Sequence, residues 1–198
     1  DLIAFTGDAI NYHEARETFR NCMTRLAAIA PTFAVKGNWD VWLVPEEGLF
    51  DGMGVIELDG GGVELQIRGA TVWVAGASVG PGAPEKIAAA LDAAPPGALK
   101  IVLHHWPREI YLANEHDADL YLCGHTHGGQ VALPFYGAIV TLAKFGKRFE
   151  SGLYHVDDTA LYVSRGVGME GGTLTRLRFF ARPEVTIVEV VPASGTRD

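Results

Sequence analysis

Positive charge is scarce in this chain, with 16 Lys and Arg against 24 Asp and Glu and a net charge of −8. Nonspecific attachment to nucleic acid or to an anionic membrane surface needs clustered cations, so the overall balance speaks against both, and no nucleic-acid partner is expected. Cysteine is scarcer still. The two present, Cys22 and Cys123, form no C-x-x-C pair, which excludes a disulfide framework, and both read as buried small apolar residues. No apolar run approaches the ~18–20 residues of a membrane span. No G-x-x-x-x-G-K-[ST] loop is present to cradle a nucleotide, and no repeat or low-complexity tract occurs.

What is present is an ordinary globular composition, 48% hydrophobic and 20% charged over 198 residues, enough for one substantial core. We read residues 1–198 as a single domain of the α/β class. Apolar runs at Leu2–Thr6, Thr32–Val35, Lys100–Leu103 and Asp119–Cys123 read as buried strands. Between the first two, Phe19, Cys22, Met23, Leu26 and Ile29 recur at helical spacing, and Pro31 ends the helix. Residues 54–76 alternate and turn at glycines, which predicts an antiparallel meander of three strands. A short helix is expected over Glu85–Ala94, a hairpin around Asp157-Asp158, and a last strand over Glu184–Val191 after a Gly-rich loop at Gly166–Gly172. His155 in that hairpin reads as structural. Lys144, Lys147 and Arg148 interleave with Phe145 and Phe149 and read as a solvated loop over apolar stems, or as the mouth of a phosphate site.

The four buried strands share one property: each ends in a side chain able to bind a metal. The exits are Gly7-Asp8, Gly37-Asn38-Trp39-Asp40, His104-His105-Trp106-Pro107 and Gly124-His125-Thr126-His127-Gly128-Gly129-Gln130. Any one of them alone is a common turn. A strand–helix–strand unit places its ligands beyond the carboxyl ends of the strands, so Asp8 and Asn38 should be neighbours. Four such exits in one chain point to a shared metal centre of oxygen and imidazole ligands, with either His104 or His105 as the third contributor.

In order and approximate spacing these motifs resemble the calcineurin-like metallophosphoesterases. The strings G-H-T-H-G-G-Q, S-R-G-V-G and R-F-F-A-R-P-E-V-T are similar to the bacterial branch typified by YkuE and YaeI. The resemblance implies a four-layer α/β fold, two packed mixed β-sheets flanked by helices, with a dinuclear centre of two divalent or trivalent ions (Mn, Fe or Zn). It implies that Asp8 bridges both ions, that Asn38, His105 and His125 hold one, and that His127 helps hold the other. His105 is preferred to His104 because the family pattern is His-x-Pro. Asp40 and His104 would support the ligands, and Asp8, Asn38 and His105 would carry catalysis. The implied activity is hydrolysis of a phosphoester, most simply a phosphodiester, with lipid-linked phosphoesters and a UDP-diacylglucosamine-type pyrophosphate among the candidate substrates. A degenerate metal- or phosphate-binding module is the alternative of a different class.

Two departures bear on that expectation. Trp39 stands where the family usually has a histidine that contacts phosphate and protonates the leaving oxygen. The family's opening Asp-x-His, which supplies most of the second ion's remaining ligands, is absent. Because Asp1–Phe5 already reads as a strand, a preceding segment carrying that motif is expected, with membrane association through it conceivable. Compartment is open between the cytoplasm and the periphery of a bacterial membrane, and the sequence does not specify an oligomeric state.

Overall fold

The computed structural model describes residues 1–44, 48–139, 141, 144, 146–169 and 177–191. Its strands are β1 (Ile3–Phe5), β2 (Thr32–Ala34), β3 (Val55–Glu57), β4 (Gly61–Ile67), β5 (Ala70–Gly76), β6 (Leu99–Leu103), β7 (Leu120–Cys123), β8 (Ala132–Leu133), β9 (Gly137–Ala138), β10 (Gly152–Val156) and β11 (Thr159–Val163). The helices are α1 (Arg16–Ala27), α2 (Asn38–Leu43), α3 (Ala83–Asp92) and α4 (Ile110–Glu115). A three-stranded parallel sheet has the order β1-β2-β3, and a six-stranded mixed sheet runs β10-β11-β7-β6-β5-β4. In the larger sheet β5, β6, β7 and β11 are parallel, with an antiparallel strand at each edge.

Period-two alternation builds the layers. Phe33 of β2 packs into one apolar cluster with Val72 and Val74 of β5, Ile101 and Leu103 of β6 and Leu120 of β7, so the two sheets lie face to face. The intervening residues Ala75, Val102, Tyr121 and Cys123 point the other way, against Ile87 and Leu91 of α3 and Ile110 of α4. On the far face of the small sheet, Phe5, Ala34 and Val55 meet Phe19 of α1 together with Leu49 and Phe50. The result is the four-layer α/β architecture that the resemblance implies.

Three sequence expectations are corrected. Residues 54–76 are not one meander: β3 pairs in parallel with β2 in the small sheet, while only β4 and β5 form an antiparallel hairpin. The chain changes sheets at Asp59-Gly60, since the Leu58 amide still donates to Ala34 whereas the Gly60 amide donates to Gly76. Alternating hydrophobicity reports that a strand is half-buried, not which sheet it joins. Cys22 is exposed, as is Ile29 at 77%; Cys22 lies about 60° around the helix from Phe19, outside the stripe that covers so narrow a sheet, and Ile29 lies past the end of α1. Cys123 is buried as expected. Finally, Glu184–Val191 forms no strand, and Val185 and Ile187 are exposed. Phe145, and residues 170–172 at the end of the expected glycine-rich loop, lie outside the described residues.

The seam between the sheets carries the fold. Phe33 is fully buried in it, and Phe33→Ala is expected to cost about 3–5 kcal/mol. Urea unfolding would show this as a lower midpoint with an unchanged slope.

Candidate metal centre

The strand exits converge. Parallel pairing of β1 with β2, and of β6 with β7, brings each pair of carboxyl ends together. Packing of the two sheets then sets one pair against the other. Among the described residues, Asp8, His105 and His125 form a group whose ligand atoms all lie within 4.8 Å of one another. Asp8 and Asn38 are adjacent as the strand–helix–strand reading requires, since the Trp39 amide donates to Asp8 Oδ1 at 2.9 Å.

The Asp8–His105 contact defines the chemistry of the locus. His105 Nδ1 lies 2.7 Å from the Thr6 carbonyl, which can only accept, so Nδ1 carries a ring hydrogen. The buried Nε2 faces Asp8 Oδ2 at 3.0 Å. An imidazole nitrogen and a carboxylate oxygen at that separation can be bridged by a proton or by a metal ion. Donation of the second ring N–H to a backbone carbonyl is also the usual way a metal-binding histidine is oriented. The donor set therefore fits a metal ion held by Asp8, His105 and His125. Burial alone would raise the Asp8 carboxyl, but the adjoining His105, the Trp39 amide and His125 outweigh it and hold it below its usual range.

The backbone is bent to make this arrangement. Asp8, His125 and His127 all adopt left-handed conformations, with φ of 57°, 71° and 52°, which non-glycine residues rarely do outside sites that need them. A Cβ on Gly37 would collide with Asp8 Oδ1 and the Asp8 amide, so only glycine admits this approach. Asp40, fully buried, accepts from the Ala9 amide at 2.8 Å and the Gly37 amide at 2.9 Å. It thus ties the loop after β1 to the loop after β2. Burial pushes its carboxyl up to about 6, with the amide of Gly37 opposing and Asp8 adding to the rise.

The remaining sequence candidates fall into three positions. Asn38 is buried, and its Oδ1 accepts from the Trp106 indole N–H at 3.3 Å. His104 is buried behind Trp106, with Nδ1 2.7 Å from the Ala77 carbonyl; burial lowers its pKa to about 4 and keeps it neutral. His127 stands apart from the Asp8–His105–His125 group: it lines a cleft of ≈ 90 Å³ with Asp8, Trp39, Asn11 and Met169. Its Nδ1 lies 3.1 Å from the Arg178 guanidinium. A larger cavity of ≈ 280 Å³, walled by Asn114, Asp117, Asp119 and Asp158, contains none of these residues.

Two supporting residues escaped the sequence reading. Trp106 donates to Asn38 and packs its ring against His125 at 6.0 Å, with the Arg108 guanidinium 3.8 Å from its ring centre. Arg178 donates to the carbonyls of Arg165 and Ala181 at 2.7 and 3.1 Å, fastening the C-terminal segment to the His127 loop. Trp106 sat inside the His-x-Pro string, where its ring signalled only bulk. Nothing local distinguishes Arg178 from its basic neighbours.

This fold and this seam belong to a known class. Residues 1–129 match the calcineurin-like phosphoesterase family, and the chain belongs to it. The family is one of phosphoester hydrolases that typically bind divalent metals. Across 96% of its length the chain is 32% identical to phosphodiesterase YaeI of Escherichia coli (strain K12), covering 70% of that protein. It is 45% identical over 87 residues to the metallophosphoesterase YkuE of Bacillus subtilis (strain 168), a match spanning 44% of this chain but 29% of YkuE. Over 95 residues it is 32% identical to UDP-2,3-diacylglucosamine pyrophosphatase LpxG of Chlamydia muridarum (strain MoPn / Nigg), which is 44% of this chain and 28% of LpxG. No helix among the described residues is long and apolar enough to cross a membrane.

In metal-free protein, Asp8 and Asp40 shift stability in opposite senses. Asp8 lies below its unfolded value of 3.8, so its contribution is present above that pH and is lost below it. Asp40 lies above, at about 6, so the native chain retains its proton through the window from 3.8 to about 6 and its contribution is lost as pH rises across it. Urea unfolding of chelator-treated protein is expected to show that fall, and Asp40→Asn to abolish it; an unchanged slope would assign the titration elsewhere. Trp106→Phe keeps the ring and removes the N–H to Asn38. It is expected to weaken metal binding by about 10–100-fold, read by competition with a chromophoric chelator, with the circular dichroism spectrum unchanged.

Proposed function

We propose that the chain is a metal-dependent phosphodiesterase with a dinuclear centre. The observation that carries this is the approach of Asp8 Oδ2 to the buried His105 Nε2 at 3.0 Å, with His125 completing the group. Asp8, Asn38, His105 and His125 would hold one ion, and Asp8 and His127 would contribute to the second. Bound divalent ions supply charge neutralisation of the phosphoester and an activated water for in-line attack. For His127, the Nδ1 contact with Arg178 is the part that has to yield, because a ring bound through Nε2 carries its hydrogen on Nδ1.

The chain's own residues do the positioning. The Thr6 carbonyl aims His105, Asp40 fixes the Asp8 loop against Asn38, and Trp106 turns the Asn38 amide so that Oδ1 is the presented atom. Trp39 lines the cleft beside Asp8, and its indole is a hydrogen-bond donor that cannot serve as a proton-transfer acid. His104 cannot replace it, being wholly buried and absent from the cleft lining. A site without that acid favours substrates whose leaving group needs no proton; for others the rate falls by on the order of 10²–10⁴. The match along most of YaeI supports a diester, whereas that with LpxG covers a smaller part of both chains.

The test is turnover of bis-p-nitrophenyl phosphate with added manganese, alongside metal analysis of the purified protein. Asp8→Ala and His105→Ala are each expected to lose more than the ~10–100-fold typical of residues outside the ligand set. Full metal loading with no turnover would instead favour a noncatalytic binding module, and faster cleavage of a nucleotide pyrophosphate than of the diester would favour the pyrophosphatase.

A further inference from the structure

The loop bearing His125 and His127 runs directly into a small hairpin that the proposed reaction does not use. Strands β8 and β9 pair antiparallel and carry Pro134, Phe135 and Tyr136 at the tip. Phe135 has a left-handed backbone, φ 64°, and a relative exposure of 111%; Tyr136 is 61% exposed. Leu133 and Ile139 on the flanks are exposed as well. A bulky side chain in left-handed backbone costs energy, and a phenyl ring left in water recovers none of it by burial. The turn is closed by the Tyr136 amide donating to Leu133 at 3.2 Å, but the Phe135 ring itself gains no burial, which a partner surface would supply.

The tip stands on a built base. The Ala138 amide donates to Glu150 Oε2 at 2.8 Å, and the Thr126 hydroxyl donates to the Glu150 carbonyl at 2.6 Å. Thr126 lies between the two histidines, so Glu150 joins the hairpin to the metal-binding loop. The Ile139 amide donates to Val131 at 3.0 Å, and the Ala132 amide to Phe179 at 2.9 Å, closing the base from both sides.

A cation stands at the tip. Lys147 sits 3.4 Å from the centre of the Tyr136 ring and donates to the Tyr136 carbonyl. Lys144 and Arg148 are exposed in the same segment, with Arg148 against the Tyr111 and Phe149 rings, and the Glu150 carboxylate is held at the hairpin base by the Ala138 amide. At physiological salt the screening length is about 8 Å, so a surface meeting the tip feels Lys147 most directly.

We propose that the Pro134–Tyr136 hairpin tip is a docking surface for an anionic lipid bilayer. Phenylalanine enters the acyl boundary, tyrosine keeps its hydroxyl among the headgroups, and the basic residues meet lipid phosphates. A second copy of the chain is the poorer occupant, since it brings the same cationic tip and the same net charge of −8. Docking would set the metal-binding loop beside lipid headgroup phosphoesters; that consequence rests on the proposed hydrolase reading, whereas the docking does not.

Co-sedimentation of the purified chain with phosphatidylcholine vesicles, with and without 30% phosphatidylglycerol as a test composition (about a third anionic lipid, in the regime where surface potential attracts polybasic segments), tests it. Binding is expected with the anionic vesicles, weakening as salt rises, and Lys147→Glu is expected to reduce it by at least the fivefold or so that one cation contributes. Phe135→Gly is the decisive variant, because glycine suits the left-handed backbone: it is expected to melt no lower than the parent while losing vesicle binding. Turnover of the soluble diester should be unchanged in both variants, so failure of docking and failure of the hydrolase reading are separate results. Equal binding by parent and Phe135→Gly, or no binding by the parent, would overturn the proposal. So would concentration-dependent dimerisation abolished by Phe135→Gly without any vesicle binding.

Discussion

A carboxylate oxygen and an imidazole nitrogen, held 3.0 Å apart at the seam of two sheets, are the constraint to which the rest of the structure answers. Asp8 follows a strand of the small sheet and His105 a strand of the large one, so the pair spans the junction of two separately hydrogen-bonded sheets. Both partners are fixed from the small-sheet side, Asp8 by the Trp39 amide and His105 by the Thr6 carbonyl. The sheets' shared core, with Phe33 and Leu103 fully buried between them, holds the two side chains face to face, where a proton or a metal ion can bridge them.

The surrounding machinery supplies position more than chemistry. Asp40 gathers amides from both loops of the small sheet, and Trp106 reaches from the large sheet to Asn38. Left-handed backbone at Asp8, His125 and His127 turns each side chain where the plain continuation of a strand would not. The local cost, of order 1–3 kcal/mol for each such residue, is sustained by the cores behind the loops. The loop of His125 and His127 is coupled through Thr126 and Glu150 to the hairpin, so the two histidines and the aromatic tip share one frame.

The departure at Trp39 takes its meaning from this geometry. Its backbone donates to Asp8 from the start of α2, while its side chain lines the cleft and packs edge-on against Trp42. His104, adjacent in sequence to a ligand, is turned away into the protein because alternate residues of an extended segment point to opposite faces.

Much of this was legible in the chain itself. Apolar runs that stop at Asp8, Asn38, His105 and His125 marked parallel strands with polar exits, and the βαβ order made Asp8 and Asn38 neighbours. Residues 54–76 were misassigned because alternation is a property of a strand's two faces, whereas sheet membership depends on a crossing at Asp59-Gly60 that has no separate signal. The exposure of Cys22 likewise depends on how wide a surface α1 covers. Trp106, Arg178 and Glu150 could not be found locally, since each acts on residues far away in sequence. The sequence by itself indicated the buried strands and the kinds of polar side chain at their exits, because periodicity and strand ends are local. Only the tertiary structure decided which ligands meet: it set Asp8 against His105, gathered His125 with them and left His127 to the cleft and Arg178, because that choice follows from the packing of one sheet on another.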